Sequence, residues 1–366
     1  MPIRTTSFRL LRHGRRCLHS RAARILPLDT FEPATVEAFR ERFFVPSQPI
    51  LFPRAHFTST LPAVRKWFQP SSSHAASRLQ LNESYLSPHA ETLVPLELTR
   101  SDPSSSEQTF DRLDAPLSLF VGWIADTLTE GHGSPQARLY LAQCPLASLP
   151  APLRSDLPTP SYVLRAGRGD VYDANLWVGV PPTYTPLHRD PNPNLFVQLA
   201  GQKVIRLFRP EVGARVYQAV RAAVGGGGSA SMRGVEMMVG KEKEMLEECV
   251  WRDGPGAAVD MEGLLGHDGG HVAGFEASLG PGDGIFVPKG WWHSVKGVGE
   301  GVTGSVSSCS FLAGHCCSSS NFDYANTFLF GTGQLVVPLN ETPRCCFHSG
   351  MVLLRRLLLL LFMRLS

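Results

Sequence analysis

A mainly β fold with flanking helices, rolled into a barrel or jelly roll, is what this sequence predicts. Three observations carry the prediction. Short apolar segments bounded by Gly and Pro recur over residues 138–208 and 276–312, the pattern of a closed antiparallel sheet. One strong helical stripe precedes them: Leu117, Phe120, Val121, Ile124 and Leu128, at spacings of three and four. Finally, His188 and Asp190 are metal-ligand residue types that a third, His293, follows only about a hundred residues later, and a closed or rolled sheet would bring it alongside them.

Residues 1–28 hold seven arginines, with no acidic residue before Asp29 and apolar residues interleaved. Arg-rich, Ser-containing and acid-poor is the composition of a mitochondrial transit peptide; a disordered basic tail is the alternative. Mitochondrial localisation would follow from a leader, nuclear or cytoplasmic localisation from a plain tail. The segment is set outside the fold, and a single domain over 29–312 is expected, with an insertion at about 210–274.

Pro33 suits a first helical turn, and Val36, Phe39 and Phe43 continue one helical face. Pro46 stops it. Pro49–Pro53 is a proline-bounded apolar run, an edge strand. Leu61–Phe68 predicts a second helix, and residues 70–110 predict loops with one or two strands. Asp114 reads as an N-cap with Pro116 just inside the helix that carries the Leu117 stripe. Strands are expected at Arg138–Ala142 and Asn175–Val180. In the insertion, Val212, Val216 and Val220 suggest a helix, Lys241–Val250 a charged one, and Gly254–Gly274 a Gly-rich connection. His267 and His271 stand four apart, but the surrounding glycines argue against a helix and no site is assigned. Ile285–Pro288 leads to Trp291-Trp292-His293, Gly297–Gly301 is a turn, and Val302–Leu312 is the last strand. The tail, 313–366, has a different composition: adjacent cysteine pairs at Cys316-Cys317 and Cys345-Cys346, then a Leu/Arg-rich end.

Composition narrows the function classes. Hydrophobic residues make up 43% of the chain, enough for a core. A net charge of +3 makes no case for a nucleic-acid partner. The eight cysteines form no CxxC pair, which argues against a disulfide framework or zinc module and for a reducing compartment. His315-Cys316-Cys317 is read as a chance cluster. Leu357–Met363 is too short an apolar run to span a membrane.

The chemistry gathers around Thr185-Pro-Leu-His188-Arg-Asp190-Pro-Asn-Pro-Asn194, which reads as a loop leading into a strand, Leu195–Phe208. Side chains at i and i+2 of a strand share a face, so His188 and Asp190 can aim at one point. With His293 they supply two imidazoles and one carboxylate, the set that binds non-haem Fe(II) on one face. His-x-Asp alone is a common pair of exposed loop residues. Lys203 adds weight: it sits in an otherwise apolar strand, and a lysine pointing inward there needs an anion.

These residues, with Leu139–Leu146, Asn175–Gly179 and Gly282–His293, resemble the small JmjC-domain oxygenases. The resemblance covers roughly residues 30–312 without the insertion. It implies a double-stranded β-helix of the cupin type, Fe(II) held by His188, Asp190 and His293, and 2-oxoglutarate and O2 as co-substrates. Lys203 would pair with the distal carboxylate, helped by the hydroxyls of Thr185 and Tyr140, and Asn194 would sit beside the co-substrate. Ser308 would stand where the family places an asparagine on the last strand. The implied activity is hydroxylation, or demethylation, of a protein or peptide substrate. A catalytically impaired JmjC-like binding protein and a cupin enzyme that does not use 2-oxoglutarate are the alternatives; the oligomeric state is not legible.

Overall fold

A computed structural model of the chain describes residues 24–32, 35–71, 78–101, 108–129, 137–225, 239–251 and 272–310. The N-terminal part runs through β1 (Arg24–Pro27), α1 (Val36–Phe39), β2 (Ile50–Leu51), α2 (Ala63–Lys66), β3 (Phe68–Pro70), β4 (Leu79–Leu81) and α3 (Glu83–Leu86). Two nine-residue strands follow, β5 (Leu93–Ser101) and β6 (Gln108–Pro116), then α4 (Leu117–Thr129). Next come β7 (Ala137–Pro145), α5 (Ala151–Ser155), α6 (Ser161–Ala166), β8 (Val171–Gly179), β9 (Thr183–Arg189), β10 (Asn194–Ala200) and β11 (Gln202–Phe208). The chain continues through α7 (Pro210–Val224) and α8 (Lys241–Trp251) to β12 (Val272–Leu279), β13 (Gly284–Val287), β14 (Trp292–Val298) and β15 (Thr303–Ser310).

Two sheets result. The smaller has the order β1-β12-β11-β14-β9, the larger β2-β13-β10-β15-β8-β7-β5-β6. From β8 to β11 and again from β12 to β15, successive strands alternate between the sheets, as in a jelly roll. The break falls at β11 and β12, which are antiparallel neighbours within one sheet. The insertion joins these two, so it lengthens a hairpin connection without disturbing the roll.

Alternation along the strands sorts the apolar residues into three clusters. Between the sheets, Phe196, Ile285 and Val287 of the larger meet Ile205, Leu207, Leu279 and Val295 of the smaller. On its other face the larger sheet turns Leu195, Val197, Leu176, Val178 and Val306 toward Phe39, Phe52, Phe120 and Ile124 of the N-terminal helices and loops. The smaller sheet's other face packs Leu187, Phe208 and Trp292 against Val216, Tyr217 and Val220 of α7 and Leu246 and Val250 of α8. Gly213 lets α7 come this close, since a Cβ there would meet the Trp292 ring at 2.2 Å.

Several expectations change. The fold starts earlier than Asp29: Arg24–Pro27 pairs in parallel with β12, so only residues 1–23 of the Arg-rich segment lie outside the described residues. Helix α1 is capped by Thr35, whose side chain accepts from the Ala38 amide. The helix expected over Leu61–Phe68 shrinks to α2, with Trp67 buried behind it. Asp114 and Pro116 belong to β6, not to a helix start, because that strand pairs with β5 up to the first residue of α4. The Leu117 stripe does form the helix, with Leu117, Phe120, Val121 and Ile124 buried. Gly297 lies within β14 rather than opening a turn. His267, His271, the His315-Cys316-Cys317 cluster and the tail lie outside the described residues.

Candidate metal centre

The site forms where β9 ends and β10 and β14 begin, inside the mouth of the roll. His188 is on β9 directly opposite His293 on β14, and Asp190 follows one residue beyond the strand. Nε2 of His188 is 3.8 Å from Asp190 Oδ1, and Nε2 of His293 is 3.7 Å from Asp190 Oδ2. All three donor atoms lie within 4.8 Å of one another. A filled site, with ligands about 2.1 Å from the ion, places neighbouring donors about 3 Å apart. The three side chains are thus slightly more open than a loaded site, a gap that small χ rotations close.

Both imidazoles turn Nε2 toward the same point. His188 Nδ1 lies 2.8 Å from the Pro186 carbonyl and His293 Nδ1 3.4 Å from the Trp291 carbonyl. A carbonyl can only accept, so the ring proton belongs on Nδ1 and the Nε2 lone pair is left for an ion. Burial, with His188 alongside, pushes His293 down to about 4, so that its ring is neutral near pH 7. The Asp190 charge opposes this only in part.

A bulge in β9 sets the direction of these side chains. Opposite β14, the register passes from His293↔His188 to Val295↔Thr185: two residues advance on β14 while three do on β9. An extra residue in one strand flips the facing parity beyond it. Thr183, Thr185 and His188 therefore all face inward, in rows with Gly297, Val295 and His293 and, on β11, with Lys203, Ile205 and Leu207.

Lys203 is two inward rows from His293, about 13 Å along the sheet at the strand rise. It is 2% exposed. Its ammonium donates to Ser305 Oγ at 2.7 Å and to the Tyr140 hydroxyl at 3.3 Å. Among the described residues these partners are hydroxyls, not a carboxylate, and burial pushes the lysine down to about 7. Tyr140 reaches this point from β7 because Gly179 leaves room; a Cβ there would meet the Tyr140 ring at 2.4 Å. Burial holds the Tyr140 phenol above its ordinary range, so it stays a donor.

Asn194 is buried at the start of β10 and donates through Nδ2 to Asp190 Oδ2 at 2.9 Å. Its Oδ1 is buried and finds no donor among the described residues. The pair of imidazoles, the carboxylate and this orphaned acceptor suit a hydrated divalent ion. We expect Asn194→Ala to weaken metal binding about tenfold, as loss of an outer-shell hydrogen bond does; Mn(II) titration of wild type and variant checks this.

The structure brings His188, Asp190, His293, Asn194, Lys203 and Tyr140 to one interior. Thr185 faces it as well, but Lys203 bonds to Tyr140 and Ser305 instead. Ser308 needs correction. It pairs with Leu195 and Ala174, so it points to the other face of the sheet, where it lines a small apolar cavity with Phe39, Leu195 and Phe286. The inward serines are Ser305 and Ser307, the latter 3.4 Å from the Trp177 indole nitrogen. The signal for this was in the sequence. Val302 and Val306 are core residues of one parity, which turns Ser305 and Ser307, not Ser308, the other way.

Comparison with known proteins agrees with this architecture. The model of the cupin-like domain family matches residues 36–308, well over half of the chain. Lysine-specific demethylase JMJ30 of Arabidopsis thaliana is 24% identical over 268 residues, covering 72% of this chain and 50% of its own. Lysine-specific demethylase 8 of Danio rerio is 32% identical over 126 residues, 34% of this chain and 29% of its own. Jumonji C domain-containing protein 5 of Drosophila melanogaster is 25% identical over 293 residues, covering 74% and 60%. The chain spans about half the length of the curated relatives it matches.

Proposed function

We propose, from the premise that this chain belongs to the cupin-like domain family and has JmjC relatives, that it is an Fe(II)- and 2-oxoglutarate-dependent oxygenase acting on a protein substrate. The observation that carries the proposal is one interior face holding both His188–Asp190–His293 and, two rows away, a buried lysine whose hydrogen-bond partners among the described residues are hydroxyls. A metal site alone would fit many cupins. A buried cation within reach of it asks for an anionic co-substrate that also contacts the metal.

When bound, Fe(II) with 2-oxoglutarate and O2 supplies the power to oxidise a C–H bond, leaving succinate and CO2. The chain's own residues do the rest. His188, Asp190 and His293 occupy one face of the ion and leave the other positions open. Lys203 pairs with the distal carboxylate of the co-substrate, and Ser305 and Tyr140 hold the ammonium in place. Phe196, Ile205 and Val295 line the space between the sheets with apolar surface, which excludes water and strengthens the ion pair. The relatives' names speak of lysine demethylation; for this chain we propose protein side-chain hydroxylation or N-demethylation. Incubation with candidate peptides separates the two, since the product either gains one oxygen or loses a methyl group.

A catalytically impaired binding protein is the alternative suggested by the altered last strand and the atypical tail. Ser308 faces away from the site, which removes the first of these grounds, and the tail lies outside the described residues. A cupin enzyme that does not use 2-oxoglutarate is tested directly. With Mn(II) present, bound 2-oxoglutarate should be displaced competitively by an oxalyl amino-acid analogue. A protein that binds Mn(II) but neither compound would contradict the reading.

A further inference from the structure

The sequence of the insertion offers no chemistry, yet α8 reaches the metal-bearing sheet from behind. Its last residue, Trp251, donates from the indole nitrogen to Ser294 Oγ at 2.9 Å. Ser294 is fully buried between Trp292 and Lys296 on the outer side of β14. It donates in turn to the Thr185 carbonyl at 2.7 Å. That carbonyl belongs to the bulge in β9, where Pro186 has no amide proton to give the ladder. The next carbonyl, of Pro186, accepts from His188 Nδ1. Side chains thus satisfy two successive acceptors of the bulge. One of these side chains is a proposed metal ligand, and the other is the end of a relay that starts in the insertion.

The Trp251 ring is itself held in place. The Arg206 guanidinium lies 4.9 Å from its centroid and the Lys296 ammonium 5.2 Å. Arg206 donates to the Val250 carbonyl at 2.6 Å, at the negative end of α8, and Lys296 pairs with Glu247 at 2.7 Å. The end of α8 is therefore fixed on β11 and β14, directly behind His293.

We infer that α8 is a positioning element for the metal centre: the relay Trp251–Ser294–Thr185 fixes the β9 bulge and so aims His188 at Asp190 and His293. The inference rests on the metal-site reading above. It makes Trp251 and Ser294 positioning residues that touch neither metal nor substrate.

Co(II) alone, titrated into the full chain, tests it. The ion reports affinity, and its visible absorption at saturation reports ligand geometry, which a merely stabilising contact would leave alone. We expect Ser294→Ala to weaken Co(II) binding about tenfold and change the spectrum, with a smaller loss, about fivefold, for Trp251→Phe, which keeps an aromatic ring and loses the donor. Each variant leaves buried polar groups without a partner, so both should melt below wild type while staying folded, and the Co(II) spectrum separates lost aim from lost stability. Wild-type affinity and spectrum in folded Ser294→Ala overturn the inference, and should that variant not fold, the same result in Trp251→Phe does. Wild type that binds Co(II) no better than His188→Ala overturns the metal-site reading itself, and the inference with it; the two failures are thus distinguishable.

Discussion

His188→Ala is expected to weaken Fe(II) or Mn(II) binding at least a hundredfold while leaving the fold intact. The imidazole supplies one of three donors that meet within 4.8 Å, and the two that remain cannot hold one face of an ion. The loss should exceed that for Asn194→Ala, which removes only a hydrogen bond to Asp190. The variant should not unfold. His188 lies at the end of β9, and the core residues Leu187, Phe208 and Trp292 pack on the opposite face. Removing one of two close imidazoles also relieves His293, whose ordinary basicity is depressed partly by His188. Metal titration with a parallel thermal melt checks both halves. A variant that binds metal normally would mean that His188 is not a ligand.

Lys203→Met should do something less usual: stabilise the protein without co-substrate and weaken 2-oxoglutarate binding about 10- to 100-fold. Methionine keeps the length and apolar character of the stem while removing a charge that burial disfavours. Burial pushes the lysine down to about 7 in the fold, against about 10.4 in the unfolded chain. Between these values the unfolded state binds more protons, so the cost of the buried lysine vanishes above about pH 10, grows as pH falls, and is full below about pH 7. There it amounts to roughly a few kcal/mol. The stabilisation by Lys203→Met should therefore be greatest below pH 7 and shrink toward pH 10. Co-substrate binding follows the opposite need, because the carboxylate requires the ammonium form. Wild-type affinity should accordingly decline above pH 7, by at most about tenfold per unit. Tyr140, the titratable group bonded to Lys203, stays protonated through this range, and Glu97 beside it is paired with Arg112 at 3.1 Å. Thermal melts and equilibrium binding across pH test these statements. A destabilised Lys203→Met variant with unchanged affinity would mean that Lys203 is a core contact and not an anion partner.

The residues easiest to find in the sequence were those whose chemistry is odd for their surroundings. A lysine inside Phe196–Phe208, and a His-x-Asp after a proline-broken strand, stand out without a structure. The helix over 117–129 was legible because four buried residues repeat on one face. Strands were harder. The strand β5 alternates at Val94, Leu96 and Leu98, but Pro95 inside it and the Ser/Pro-rich stretches on either side make residues 70–110 read mostly as loop. Asp114 and Pro116 mimic a helix start because β6 runs directly into α4. Ser308 was misplaced by a single position, and in a strand one position is the whole difference between faces. The bulge at Pro186 and the relay behind it depend on register between distant strands, which local sequence does not encode.

The central claim is tested most directly by succinate. The full chain with Fe(II), ascorbate, O2 and 2-oxoglutarate, and no protein substrate, should form succinate slowly by uncoupled turnover, and His188→Ala should form none above background. Succinate from wild type that requires His188 is the result expected of the oxygenase. Wild type that binds Fe(II) and 2-oxoglutarate yet forms no more succinate than His188→Ala, alone and with candidate peptides, would contradict it.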